Sequence, residues 1–522
     1  MRIFKTTWGL SVLTVAGLVL AEGVNVARGQ CEAYEFAVLM ASDWGRNHRL
    51  GTSVSIDGDT AVAGSVPDYN EHTGWAYVYQ RDYGGVGNWG EVIILSASDA
   101  AEADHFGESV CISGDTIVVG AYKHDEMFYT DCGAAYVFER DAGGPDNWGQ
   151  VAKLNVSDAA AYDGFGRAVA IDGDVIVVGA RNVDAVGPAC GAAYVFEKPP
   201  GGWANMFETA KLTASDPAAN DHFGAAVAIS GETLVIGMPN DDDAGAESGS
   251  AYVFEKPEAG WVSMTETAKL TASDAAANDA LGVSVAIDGD LVVVGAPQND
   301  GAASDAGAAY IFAKPGDGWA NMTETVKLTA SGAAADENFG ESVSLEGEMA
   351  LIALRQHWSA GIGAGCVFVF DGSSWVEEGR LLPSDGEPYD SFGHSVGING
   401  DQAVIGTPNW DYDEGGVPGR IVGAMYVFDY LSDCNSNGTL DICDVADGTL
   451  HDNDGDGTPD ECECTGDLDG DGDIDLADLA QLLSNYGTTS GASYEDGDLD
   501  GDGDVDLSDL AALLSVYGTS CW

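Results

Sequence analysis

The chain has 522 residues, with 86 acidic side chains against 20 Lys and Arg, giving a formal net charge of −66. That charge repels phosphate backbones and excludes nucleic acid as a partner, while 45% hydrophobic residues supply a core and exclude wholesale disorder. The 71 glycines are about twice the usual frequency and point to many turns between short strands.

The N-terminus reads as an export signal. Arg2 and Lys5 precede an apolar run from Trp8 to Leu20, which is short for a bilayer span. Cleavage is expected either after Ala21 or before Gln30, leaving a soluble exported chain with no membrane insertion. Export makes disulfides plausible for Cys31, Cys111, Cys132, Cys190, Cys366, Cys434, Cys443, Cys462, Cys464 and Cys521. Cys434 with Cys443 and Cys464 with Cys521 are candidate pairs. Cys111 and Cys366 read equally well as small buried apolar residues.

From residue 30 to 431 the chain repeats. A glycine opens each unit at Gly51, Gly107, Gly166, Gly224, Gly282, Gly340 and Gly393. An aromatic closes it at Tyr79, Phe138, Phe196, Phe254, Phe312, Phe370 and Phe428. Each unit has four strand-like runs, A to D. Run A alternates, as in Ser284–Ile287. A tight turn follows, written Asp57-Gly58 in the first unit, a dipeptide suited to a two-residue hairpin. Run B is apolar throughout, as in Leu291–Val294, and is expected to be buried on both faces. Run C is Ala-Ala-Tyr-Val-Phe or a variant, and a Gly-rich turn with a Trp leads to run D. Seven such units predict an all-β, seven-bladed β-propeller. Phe36–Asp43 matches run D with no A, B or C before it, and the last unit lacks a D. The first segment is therefore expected to supply the outer strand of the last blade, which removes an open edge.

The Phe-Gly opening and the Gly295-Ala296-Pro297 ending of run B resemble FG-GAP repeats, the blades of the integrin α head. That resemblance implies the fold, not a function. Integrin-type metal sites are not expected, because the A-to-B link is only a short turn.

Beyond the propeller, from Asp433, stand 24 acidic residues and no Lys or Arg. Their spacing is regular. Asp467, Asp469, Asp471, Asp475 and Asp478 hold positions 1, 3, 5, 9 and 12 of an EF-hand-type loop, and Asp473 offers a carbonyl at position 7. Asp498, Asp500, Asp502, Asp504, Asp506 and Asp509 repeat the pattern. Each loop runs into one apolar helix, Leu476–Tyr486 or Leu507–Tyr517. Two loop–helix units resemble a type I dockerin over residues 465–522. The resemblance implies Ca2+ as cofactor, a small helical domain, and a cohesin-like or cell-surface protein as partner. In the linker 432–464, the string Asp433, Asn435, Asn437, Asp441 and the string Asp452, Asp454, Asp456, Asp460 resemble thrombospondin type 3 repeats, which implies further Ca2+ binding.

The D-to-A and B-to-C links of a propeller share one face. Aromatic and imidazole side chains depart from the repeat there: Trp44, Tyr69, His72, Tyr122, His124, Tyr129, His357, Trp358, Trp410 and Tyr412. They belong to neighbouring blades and are expected to form a surface for a protein or glycan. An Asp five residues after the run B glycine (Asp125, Asp184, Asp242, Asp300, Asp411) is expected to cap the B-to-C turn. No Gly-x-Ser-x-Gly or His-Glu-x-x-His motif is present, so the chain reads as a non-catalytic adhesion or scaffold protein. A polysaccharide-active glycosidase or lyase is the alternative.

Overall fold

A computed structural model describes residues 31–43, 48–66, 72–83, 88–126, 129–144, 147–184, 187–356, 361–400, 402–410, 421–428, 468, 474, 476–489, 497 and 505–517. Seven antiparallel sheets follow one another, each with its strands in the order A-B-C-D. The first blade runs Leu50–Asp57, Thr60–Ser65, Trp75–Gln80 and Gly90–Leu95. The last has Ser395–Asn399, Gln402–Thr407 and Ala424–Phe428, and its outer strand is Ala37–Leu39, paired antiparallel with Val38 opposite Tyr426. Just upstream, Cys31–Tyr34 lies parallel to Gly379–Leu382 of blade 6. The N-terminal segment thus clasps two blades. The second clasp has no counterpart in the sequence reading, but it repeats a device of the ring: Met206–Phe207 lies likewise beside Leu154 and Asn155.

The A strands of all seven sheets line an axial channel of about 670 Å³. All of Ser53, Val54, Ser55, Ile56 and Asp57 of blade 1 border the channel; Val54 and Ile56 are also buried in the core between blades, while Ser53 and Ser55 accept from Val110 N and Ile112 N of blade 2. Strands B and C are buried along almost their whole length, as continuous apolar runs require. The core is a set of inter-blade clusters. Phe165, for instance, packs edge-on to Tyr194 with ring centroids 5.7 Å apart.

Glycines set the distance between blades. A Cβ at Gly237 in strand B would lie 2.0 Å from the carbonyl oxygen of Gly282, the opening glycine of the next blade. Gly282 has φ +97 and would place its own Cβ 2.3 Å from Ser250 O. Backbone meets backbone at this joint, so neither position has room for a side chain. Blade 6 is the exception. It carries Ala353 where the others carry glycine, and Gly393 opposite it is less crowded, with no atom closer than 3.3 Å.

A ring of hydrogen bonds closes the turn side. The two-residue turns are Gly58-Asp59 and its equivalents, one residue later than the Asp-Gly dipeptide suggests, because Asp57 still pairs with Thr60. This leaves the residue before each turn glycine free to reach the next blade. Gly231 N donates to Asp172 (2.6 Å), Gly289 N to Ser230 (3.1 Å), Gly347 N to Asp288 (2.6 Å) and Gly400 N to Glu346 (2.5 Å). Gly58 N donates to Asn399 (2.8 Å), joining the last blade to the first.

In the C-terminal segment two helices, Leu476–Asn485 and Leu507–Val516, share an apolar cluster of Leu468, Ile474, Leu482, Val505 and Leu513. Among the described residues no helix is long and apolar enough to cross a membrane.

Candidate functional site

On the loop side, B-to-C and D-to-A links of neighbouring blades adjoin through backbone bridges, Gly191 with Phe223 and Gly249 with Leu281. Much of the polar chemistry here is structural and recurs in step. Asp125, Asp184, Asp242 and Asp300 each accept a backbone N–H five or six residues on, at 2.7–2.9 Å, capping the B-to-C turn. Asp411 lies outside the described residues. The Cys132 thiol donates to His124 O and the Cys190 thiol to Val183 O, a role Ser248 fills in blade 4 with its hydroxyl. Cys111, Cys132, Cys190 and Cys366 are thiols rather than disulfide halves. The candidate disulfide pairs of the tail lie outside the described residues.

Carboxylates also tie blade to blade. The Tyr252 hydroxyl donates to Asp216 (2.9 Å), and Lys269 reaches Asp216 (2.8 Å) and Asp243 (2.6 Å). Blades 2, 3 and 5 repeat the trio as Asp99–Tyr136–Lys153, Asp158–Tyr194–Lys211 and Asp274–Tyr310–Lys327. Burial works against ionisation of Asp216, yet the bonds from Lys269 and Tyr252 hold its carboxyl below the ordinary value. Burial pushes the Tyr252 phenol up. Blade 6 drops both phenol and carboxylate together, with Cys366 and Gly332 at those places.

Of the residues expected to form a ligand surface, Trp44, Tyr69, His357, Trp358 and Tyr412 lie outside the described residues. His72 is exposed and leans on Trp75, ring centroids 5.6 Å apart. Tyr129 is 44% exposed. His124 and Trp410 are internal instead. His124 is buried against Asp104 (3.0 Å) and Lys153 (2.8 Å), and Trp410 sits in the core of the last blade. The loops fold these two rings inward, His124 onto the Asp104 carboxylate and Trp410 into an apolar cluster with Phe392 and Val422.

Tyr122 belongs to a different constellation, one not legible from aromatic residues alone. It lies half-buried at the loop-side mouth of the channel, with the Arg167 guanidinium over its ring at 4.8 Å and His105 edge-on at 5.2 Å. Arg167 pairs with Glu108. Arg355 pairs with Glu341 at 2.7 Å, and Arg49 holds Asn409 at 2.8 Å. Arg181 presents its carbonyl to His222 Nδ1 (3.2 Å). Burial, and then the neighbouring Arg167, lower the proton affinity of Arg181. His394, on the channel wall, is pushed down to about 3 by burial and by the charges of Arg355, Arg49 and Arg167, against Glu108. The signal in the sequence was the run B ending: Pro239, Pro297 and Pro408 in three blades give way to Tyr122, Arg181 and Arg355 in three others.

In the tail, Asp478 and Asp509 are buried. Asp478 Oδ1 accepts from Leu468 N (2.7 Å), and Asp509 Oδ2 from Asp506 N (2.7 Å). Asp506 caps the second helix by accepting from Ser508 N (2.6 Å). Every other metal ligand expected in the tail (Asp467, Asp469, Asp471, Asp473, Asp475, Asp498, Asp500, Asp502 and Asp504) lies outside the described residues. So do Asp433, Asn435, Asn437, Asp441, Asp452, Asp454, Asp456 and Asp460 of the linker. Among the described residues no group of three His, Cys, Asp or Glu side chains is arranged to hold a metal ion.

Comparison with known proteins agrees with the geometry of the blades. A family model described as FG-GAP repeat matches seven times, at residues 34–79, 89–138, 148–196, 206–254, 264–312, 322–370 and 375–428. The chain belongs to the FG-GAP repeat family, as a seven-bladed β-propeller. No curated protein matches it significantly. Among solved structures it is similar to a chain of "Crystal Structure of Mitotic Checkpoint Complex", with 12% identity, a TM-score of 0.45, and coverage of 80% of this chain and 99% of that one.

Proposed function

We propose that the chain is an exported, non-catalytic recognition protein. Its propeller binds a protein or glycan on the loop face, and its C-terminal segment, folded by Ca2+, attaches it to a cohesin-like or cell-surface partner. The observation that carries the first half is the division of labour among polar groups. Across the blades, carboxylates recur in step as turn caps and as acceptors for tyrosine and lysine, which is scaffold chemistry. The blades differ from one another mainly in the loops of one face, where His72, Tyr122 and Tyr129 stand. Function on a repeat scaffold lives where the repeat is broken.

For the tail, the support is the oxygen-only donor spacing together with Asp478 and Asp509, carboxylates buried at the two helix starts of a strongly acidic segment. Such donors fit a hard cation, and Ca2+ would supply the opposing charge.

The test uses the exported chain, incubated with immobilised glycans and surface proteins while soluble products are monitored. Capture without product formation supports the reading; turnover of a polysaccharide would replace it with the enzymatic alternative. Calorimetric Ca2+ titration of the same chain tests the tail, and absence of saturable uptake would remove the Ca2+-dependent attachment.

A further inference from the structure

We propose that the loop-side mouth of the axial channel binds the anionic group of a ligand, a carboxylate or sulfate such as acidic saccharides carry, through Arg181, Arg167 and Arg355. The proposal rests on the loop face being a recognition surface and names the chemistry that surface selects.

The first argument is that the fold does not need these cations. Blades 4 and 5 build the same joint with Pro239 and Pro297 in place of Arg181 and Arg355, and with Ala225 and Val283 in place of Arg167. The second is scarcity. A chain with 86 acidic and 20 basic side chains sets Arg181 near Arg167, and Arg355, Arg49 and Arg167 around His394, although like charges brought together out of water repel. The lysines of the blades, by contrast, are paired in series: Lys198 with Glu139, Lys256 with Glu197, Lys314 with Glu255.

The third argument is unfilled donor capacity. A guanidinium carries five N–H donors. Glu108 and Glu341 approach only the Nη1 ends of Arg167 and Arg355. Arg355 Nε and His394 Nδ1 are shielded from solvent without a hydrogen-bond partner. Arg181 has no carboxylate partner among the described residues. An oxyanion at the mouth would meet planar, preorganised donors, with the Arg167 guanidinium held over the Tyr122 ring. The turn-side mouth has the opposite character, ringed by Asp57, Asp172, Asp288 and Glu346. An anion therefore has a single favourable end.

The experiment is calorimetric titration of the exported chain with sodium sulfate, galacturonate and neutral galactose at low ionic strength, comparing wild type with Arg181→Gln and Lys314→Gln. Arg181 has no ion pair to lose, and its place is filled by proline in sister blades, so the variant should fold as wild type does. Binding of either anion but not of galactose is expected. Arg181→Gln should weaken it about tenfold or more, the loss of a charge-assisted hydrogen bond, and Lys314→Gln, near the opposite mouth, should leave it within about twofold. In protein labelled at histidine, the His394 and His222 resonances should move on anion binding while that of His72 stays. No anion binding in wild type, equal weakening by both variants, or unmoved His394 and His222 signals would overturn the proposal. A glycan or protein ligand that still binds in Arg181→Gln would leave the loop-face reading intact and sink this one alone.

Discussion

Replacing Gly237 by alanine tests the account of how the blades are spaced. The strand B glycine has an ordinary negative-φ backbone that alanine can adopt, so by entropy alone the change would stabilise by roughly 0.4–1 kcal/mol. The structure sets a larger penalty against it. The new Cβ would stand 2.0 Å from Gly282 O, 2.9 Å from its carbonyl carbon and 3.3 Å from its Cα, all backbone atoms that no rotamer change can clear. Relief requires blades 4 and 5 to part by about an ångström along a packed joint, an overpacking cost at the upper end of the usual 1–3 kcal/mol. The net expectation is a loss of about 2 kcal/mol. Gly289→Ala is the matched control, because its Cβ meets nothing within 4 Å and only its φ of +54 is unfavourable. That control should cost about 1 kcal/mol. Urea unfolding followed by tryptophan fluorescence reads both, since Trp261 is buried in the core between blades 3 and 4. If Gly237→Ala proved as stable as wild type, or less damaging than Gly289→Ala, glycine contact would not be what fixes blade spacing.

Asp163 is buried and its carboxyl is pushed up to about 6, chiefly by burial and further by Asp158, against a usual value of 3.8. A raised carboxyl pKa means the folded state loses stability as pH rises from about 4 through 6. Asp163→Asn, which keeps an oxygen for Ala160 N, should therefore raise the thermal midpoint at pH 7 and leave it unchanged at pH 4. Asp216 works the other way: its depressed carboxyl stabilises above the usual carboxylate range, and that contribution should fade as pH falls below it, more in wild type than in Lys269→Met. Asn399→Ala should cost about 1 kcal/mol and speed amide exchange at Gly58 without disturbing the other turns, since it opens only the last link of the ring. Asp506→Ala should lose about 1 kcal/mol of helix stability from the cap, read by circular dichroism, and should also weaken Ca2+ uptake if the loop binds metal.

The frame was readable from sequence because its determinants are local and repeated seven times. Alternation in strand A, unbroken apolar runs in B and the positive-φ glycines each follow from one strand or one turn. The outer strand of the last blade was readable from a subtraction, a run D at one end and a missing run D at the other. What escaped reading depends on contacts between blades. Asp43 read only as the end of a run D, yet its work, like that of its equivalents, is to accept a tyrosine hydroxyl more than thirty residues away, Tyr77 in its own case. Asp57 looked like half of a turn until the ring showed it reaching the neighbouring blade. His124 and Trp410 looked like surface residues because composition cannot say which way a loop ring folds. The cationic mouth is assembled from single residues of different blades, and no one segment carries enough of it to stand out.

The clasp at Ala37–Leu39 imposes an order on synthesis. That strand leaves the ribosome among the first, and its partner, Ala424–Phe428, only after nearly four hundred further residues. Through that interval the ring has two unmatched rims, and no intermediate length of chain can satisfy both. Completion is consequently a single event at the end of the blades. A chain cut short anywhere within them is an open arc with exposed strand edges, a natural substrate for chaperones and proteases.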